Sequence, residues 1–353
     1  MAVTPRQRVL ETPVRTMEEF SLFVGLSRPT VSKFFNDPSS LKDTTRRRIE
    51  AALTTSGFHP NMLAANLVRR RSNIVGVIVP DPSDPFYAAL TRRMQTIAGD
   101  AGFQAFVLSS DGDQAKEVQA VRTLSSMSVA GAVVAPLGAA QAGGSQALER
   151  LETDIPLVYV DSAPSHPASF VGTDNRRSFG LIVDHLCRTG TPPWFLGMPA
   201  VNANASDRAR AYEAAMRSQG LEPKSLDLPA ARDWDFERFG FETMRMAIEA
   251  GSVKGRTILC ANDRLAFGAL AAAWQAGLRV GRGEDYHLRI AGHDDHPLSR
   301  YTCPPLTTVA QNYDEIGRRA MDILLRRMGG EVADDAAEET VLLDAEIVER
   351  QSA

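Results

Sequence analysis

What most constrains the fold of this 353-residue chain is a rhythm between residues 74 and 291. Short, continuous apolar runs stand at 74–79, 104–108, 132–135, 157–160, 194–197, 257–260 and 288–291. Helical patterns fill the intervals at 88–101, 116–127, 177–189, 208–219, 236–250 and 264–276. A strand that is apolar along its whole length is covered on both faces, as in parallel sheets, and each parallel pair needs a crossover. The spacing therefore predicts an α/β chain of βα units with right-handed connections. Seven or more units suit one large sheet or two lobes, and this length suits two or three domains.

Residues 16–72 break the rhythm and read as helices alone. Residues 17–24 form one helix with Phe20 and Phe23 on one face. Gly25 tolerates the positive φ of a helix C-cap, Leu26 plugs the corner, and Ser27 is an N-cap with Pro29 in the first turn behind it. The second helix runs to about Phe35 and closes at Asn36-Asp37-Pro38. A third helix at 44–54 has Ile49, Ala52 and Leu53 to bury and Arg46, Arg47 and Arg48 to expose. This is a helix-turn-helix pattern, whose second helix can enter a DNA major groove. An ordinary helical hairpin within a core has the same outline. Against that, the second helix carries Arg28, Thr30, Ser32 and Lys33, which can bond phosphates or base edges. A short helical run at 62–68 and Arg69-Arg70-Arg71 follow, or this is a plain basic linker.

Charge divides the chain at the same place. Residues 1–72 hold twelve Lys and Arg against six Asp and Glu, a net of +6; with −4 overall, the remainder carries −10. A small basic head on a large acidic body suits DNA binding by the head alone. Residues 1–15 read as a flexible basic arm or a disordered tail. The three cysteines, Cys187, Cys260 and Cys303, have no metal or disulfide spacing and read as buried free thiols. Neither a signal-peptide core nor a run of about 20 apolar residues is present, so a cytoplasmic chain with no membrane partner is expected.

The head resembles the Lac repressor family of bacterial transcription regulators. The residues that carry the resemblance are Gly25-Leu26-Ser27, Thr30-Val31-Ser32-Lys33, Asn36, Thr45-Arg46, Gly57-Phe58-His59-Pro60-Asn61, Ala64, Leu67 and Arg71-Ser72, in ungapped register. It continues through Gly76-Val77-Ile78-Val79-Pro80, Asp84-Pro85-Phe86-Tyr87, Asp174-Asn175, Ala261-Asn262-Asp263, Gly292-His293-Asp294-Asp295 and Pro305-Leu306-Thr307-Thr308-Val309. Two stretches depart from the family pattern: Gly190-Thr191-Pro192-Pro193, and the loop at 279–286, which lacks a Pro-Asp pair.

The resemblance implies a head at 16–60, a hinge helix and linker at 61–72, and a body at 73–353 with two lobes like periplasmic sugar-binding proteins. The second lobe would begin near Thr173, and the chain would return to the first near Asn312 for a helix at 314–328, an acidic loop and a strand at 341–348. On DNA, Arg28, Pro29 and Lys33 would face base edges, while Ser27, Thr30, Ser32 and Asn36 would hold phosphates. Asn61, Ala64, Leu67 and Arg70 would belong to a hinge that folds on DNA, with Leu67 as a wedge between base steps.

In open parallel sheets, ligands bind beyond the carboxyl ends of the strands. Those ends carry Asp81 with Phe86-Tyr87, Asp161, Asn262-Asp263 and His293-Asp294. An Asp before a helix is also an ordinary N-cap, an alternative open for Asp161, Asp174 and Asp263. By resemblance, Arg208 grips an effector, Asp294 accepts from its hydroxyls, and Asn262 and Trp234 supply an amide and a stacking indole. Trp234 could equally fill a gap at a lobe edge, and Arg208 could be a solvated charge. No GxxxxGK or HExxH pattern exists, and His293 with His296 is a poor metal pair. Together these imply a non-enzymatic repressor without cofactor or metal. Its partners are a pseudo-palindromic operator, a small sugar-like effector, and one or three further copies of the chain. The alternative is a solute-binding or sugar-processing protein whose N-terminal helices only pack or oligomerise.

Overall fold

The computed structural model describes residues 14–36, 38–58, 72–138, 144–229, 234–330 and 338–353. The chain divides into two compact units, Met1–Arg71 and Ser72–Ala353.

Among the described residues, the first unit has three α-helices: α1 (Met17–Val24), α2 (Arg28–Asn36) and α3 (Asp43–Ser56). A capping box starts α1, with Glu19 N bonded to Thr16 Oγ1 at 3.1 Å and Thr16 N to Glu19 Oε2 at 3.0 Å. Gly25, at φ 65°, ends it, so that the Gly25 and Leu26 amides turn back to Leu22 O and Ser21 O. Phe20, Val24, Val31, Phe34, Ile49 and Phe58 form the core, with the Phe20 and Phe58 rings stacked 4.6 Å apart. Phe23, Ala52 and Leu53 pack partly buried against it.

In the second unit, every pair of the six-stranded sheet is parallel. Its strands are β1 (Ile74–Val79), β2 (Gln104–Ser109), β3 (Gly131–Val134), β4 (Leu157–Val160), β5 (Phe170–Thr173) and β10 (Thr340–Leu343), in the order β10-β5-β4-β3-β1-β2. Helices α4 (Pro85–Asp100), α5 (Gln114–Ser126) and α6 (Gly144–Asp154) belong to this lobe, as does α11 (Tyr313–Gly329). Val77, Val133, Val158 and Val171 of the sheet meet Leu90 and Met94 of α4 and Ile316, Ala320 and Leu324 of α11 in one core.

The second lobe is built on β6 (Pro193–Leu196), β7 (Thr257–Cys260) and β8 (Arg289–Ala291), parallel in that order. Around them stand α7 (Asn175–Thr189), α8 (Ala203–Ser218), α9 (Phe236–Glu249) and α10 (Asp263–Gln275). A short antiparallel pair, β9 (Thr308–Ala310) with β11 (Glu346–Val348), completes it. The chain thus crosses between lobes after β5, after β9 and after β10. These crossovers are bonded to one another: Thr173 Oγ1 donates to Gln311 Oε1 at 2.5 Å, and Asp174 N to Leu343 O at 2.9 Å.

Several expectations need correction. The strand expected at 341–348 is two strands in different sheets, broken at Asp344-Ala345 where the chain changes lobe. Strands β5 and β9 and helix α6 have no counterpart in the sequence reading. Helix α4 begins at Pro85, because Asp84 accepts the Phe86 amide, and α8 begins at Ala203, ahead of Arg208. Of the three free thiols, Cys260 is buried and Cys187 half-buried, whereas Cys303 is exposed. Among the described residues, no helix is long and apolar enough to cross a membrane.

Candidate nucleic-acid interface and effector cleft

The head presents one polar face. Helix α2 turns Val31 and Phe34 into the core and leaves Ser27, Arg28, Pro29 and Lys33 exposed around its start and one side. Thr30 and Ser32 are half-buried. Ser27 Oγ and Thr30 Oγ1 lie 2.8 Å apart, and Thr30 N points to Ser27 Oγ at 3.4 Å, so Ser27 closes the first turn. Asn36 is the last residue of α2. Arg47 is exposed, Arg46 pairs with Asp43 at 2.9 Å, and Arg48 reaches Gly25 O at 3.3 Å. Guanidinium, ammonium and hydroxyl groups around a helix start and along one of its sides are donors that phosphates and guanine edges accept from. Asn61, Ala64, Leu67 and Arg70 lie outside the described residues, as does most of the arm at 1–15.

In the body, the cleft between the lobes collects Phe86, Tyr87, Asp161, Arg208, Trp234, Asn262 and Asp294. Asp84, Asn204, Arg264 and Gln311 line it as well, and the sequence reading did not single these out. Its free volume is about 40 Å³. Two larger grooves, of about 480 and 400 Å³, flank the crossovers. The smaller cleft is the chemically organised one: it gathers the buried Arg208 with half-buried Asp84, Asp161, Arg264 and Asp294, whereas the grooves are rimmed by exposed groups such as Arg176, Arg210 and Asp314.

Arg208 and Asp294 form its base. Arg208 is 4 % exposed; Nη1 donates to Ala261 O at 2.7 Å and Nη2 to Asp294 Oδ1 at 3.1 Å, while Nε has no protein partner. Asp294 also accepts from Gln311 Nε2 at 2.6 Å. Burial works to raise the Asp294 carboxyl, but Arg208 and the bonds from His293 and Gln311 bring it below its ordinary value. On the lobe 1 wall, Asp161 accepts from Tyr87 Oη at 2.8 Å and from Asn204 Nδ2 of lobe 2 at 3.1 Å. Its burial, only partly offset by Arg208, pushes its carboxyl up to about 6. Asp161 and Asp294 both hold positive φ, 64° and 128°. Two non-glycine residues in such conformations, both presenting carboxylates to one cleft, are the kind of strain that functional sites retain.

The open alternatives divide. Asp174 is an N-cap, bonded by Arg177 N at 3.0 Å. Asp263 is fully buried and accepts from Thr308 Oγ1, Ser299 Oγ and His296 N, which tie β9 and the 293–299 loop to α10. Asp161 caps nothing and faces the cleft. Asn262 caps α10 through Oδ1, at 2.8 Å from Leu265 N, and still lines the cleft. His293 stacks on Phe179 and bonds Ser178 Oγ at 2.9 Å; burial and Arg208 drive its imidazole down to about 4. Among the described residues no cluster of His, Cys, Asp and Glu has metal-binding geometry. Trp234 Nε1 and Asn202 Oδ1 join Arg208 Nε as polar atoms at the cleft without a protein partner. Two donors and an acceptor left over in one place suit a ligand that offers both kinds of group.

Residues 16–61 match the bacterial regulatory proteins, lacI family, and residues 183–353 match the periplasmic binding protein-like domain. The ribose operon repressor of Escherichia coli (strain K12) is 27% identical over 316 residues, covering 89% of this chain and 93% of that one. The HTH-type transcriptional regulator DegA of Bacillus subtilis (strain 168) is 29% identical over 345 residues, covering 96% and 97%. A crystal structure of the Lac repressor dimer bound to operator and the anti-inducer ONPF superposes with a TM-score of 0.81 at 25% identity, over 97% of this chain and 99% of that one. With a lacI-type head on a periplasmic binding protein-like body, this chain belongs to the Lac repressor family and is a DNA-binding transcription regulator, not an enzyme.

Proposed function

We propose that this regulator is a repressor that binds a pseudo-palindromic operator through two copies of its head and releases or holds it according to a small, uncharged polyhydroxylated effector in the inter-lobe cleft. One three-helix head reads only a few base pairs, so useful affinity needs a dimer. The relatives that are named repressors, and the Lac repressor dimer on its operator, support this reading. Such a protein works on the chromosome, in the cytoplasm.

The observation that carries the effector class is the pairing of the cleft's charges. Three carboxylates, Asp84, Asp161 and Asp294, face two guanidiniums, Arg208 and Arg264, and both guanidiniums are already engaged by carboxylates. A phosphate ester would compete with those partners and add charge to a cleft already short of cations. A hydroxylated ring would instead use the carboxylates as acceptors and the leftover N–H groups as donors, with Phe86 and Trp234 against its apolar faces.

The test joins both ends of the molecule. Selection of binding sites from random DNA should return an inverted repeat, and Arg28→Ala should relax one position in each half, at a cost of about 1–3 kcal/mol. In a thermal-shift panel, neutral sugars and nucleosides should stabilise the body and their phosphate esters should not. An unchanged site profile for Arg28→Ala, or a response to phosphate esters alone, would overturn the corresponding half of the reading.

A further inference from the structure

The lobes are also tied at the cleft mouth by contacts among the protein's own groups. Asp84, on lobe 1, uses one oxygen to cap α4 and offers the other to Arg264 Nη1 of lobe 2 at 3.1 Å. Arg264 is held ready for this. Its Nε and Nη2 make a parallel pair of 2.8 Å bonds to Glu237, and Nη2 also reaches Trp234 O at 3.1 Å. The guanidinium lies 5.1 Å from the centre of the Phe236 ring. Helices α9 and α10 approach closely enough for this because Gly240 lies on the Leu265 backbone and Gly268 on the backbone of Glu237 and Phe241; a Cβ on either would strike the opposite helix.

Trp234 makes the second contact. Its indole lies against Gly112, in the loop between β2 and α5 on lobe 1, where a Cβ would overlap Cδ1 and Nε1 outright. The indole also stands 6.4 Å from Tyr87, and it packs against the hydrophobic cores of both lobes. Among the described residues, no other side chain belongs to both of these clusters.

We propose that Arg264 and Trp234 form a two-point latch that closes on Asp84 and Gly112 and holds the lobes together through the protein's own side chains, with Gly112 as the positioning residue that seats the indole. The two grips move as one unit, because Arg264 holds the Trp234 carbonyl while it reaches Asp84. The word effector rests on the reading above; the latch itself does not. Its consequence is thermodynamic. A ligand that enters the cleft must find it unlatched, so its apparent affinity is reduced by the unlatched fraction, and Gly112, which lies outside the cleft lining, tunes sensitivity only through the seat it gives the indole.

The test needs no ligand. The chain has three tryptophans, and Trp194→Phe with Trp274→Phe leaves Trp234 as the sole indole of the full-length protein. Asp84→Asn keeps the cap acceptor and weakens the ion pair. Gly112→Ala blocks the seat. Because Gly112 also sits at φ 66°, the control is Gly102→Ala, at φ 79° with open space around it. Asp84→Asn and Gly112→Ala should each shift Trp234 emission to the red and raise its acrylamide quenching towards that of Trp274, which is 77% exposed. Gly102→Ala should leave both unchanged. The proposal is overturned if either latch variant matches the parent, or if Gly102→Ala moves the signal as far as Gly112→Ala. Asp84→Asn carries the test alone should Gly112→Ala fail to fold. Because no sugar is added, failure here leaves the effector class to be decided by the thermal-shift panel.

Discussion

The head and the cleft solve opposite problems. The head buries six apolar side chains and keeps its functional groups outside, where Arg28 and Lys33 stay hydrated until DNA arrives. The cleft buries its functional groups. Arg208 is buried and bonded to Asp294, Asp161 and Asp294 are half-buried, and both carboxylates sit on backbone in unfavourable territory. A surface site costs the fold little and pays for specificity through many contacts at once. A buried site loads the fold with desolvation, which a ligand or a partner residue must offset.

The comparison breaks most visibly at the head's core. Phe58→Ala should cost about 3–5 kcal/mol, which is as much as a core of that size supplies in total. The head should unfold and operator binding vanish, while calorimetry shows the body melting as before. A head that still binds DNA would mean that its core is stiffer than six side chains suggest. In the cleft, Arg208→Ala should cost the body about 3–5 kcal/mol, because Asp294, half-buried, is left without its cation. A body that melts unchanged would show the pair to be neutral for stability.

The pH dependence sharpens the same contrast. A carboxyl raised in the folded state stabilises the fold at low pH and loses that contribution as pH climbs through the folded value. For Asp161, raised to about 6, up to about 3 kcal/mol should disappear between pH 4 and 6. Asp161→Asn should flatten the melting temperature of the body in that window. His293, driven down to about 4, acts in the opposite sense, stabilising above pH 6.5 and losing that contribution as pH falls. The Asp161 effect is therefore read as the difference between variant and parent. The smallest effect is at the head's edge, where Thr16→Ala removes one side of the capping box and should cost the head about 1 kcal/mol. Urea titration of the head's far-UV signal would measure it.

The head was readable because its code is local. Gly25, Ser27 and Pro29 announce the turn, and helical spacing separates Phe20, Val31 and Ile49 from the exposed charges. The sheets were readable where strands are long and wholly apolar. Strand β5 escaped because its four residues include Gly172, and β9 because it spans only three residues. In the cleft, Asp161 and Asp294 follow from the strand-end rule, and the same rule applied one residue further would have reached Arg264, three residues before Phe267 on α10. Asp84 stood in plain view before Pro85. Gln311 and Gly112 carry no such signal; Gln311 sits on a crossover bonded to Thr173, and Gly112 meets Trp234 of the other lobe, both partners far along the chain.

The three crossovers bear on how such a chain is made. Helix α11 covers the sheet that β1 begins, and β10 completes its edge, yet all of lobe 2 except β11 lies between β5 and α11 in the sequence. During synthesis the head can fold as soon as it emerges. Lobe 1 cannot: its strands wait, with one face only partly covered by α4, until α11 has been translated. Long-range closure of this kind is slow and leaves apolar strands open to wrong partners. The regulator's DNA-reading part is therefore its first finished piece and its control part the last, so that a chain interrupted in lobe 2 would own a head with no means of switching it.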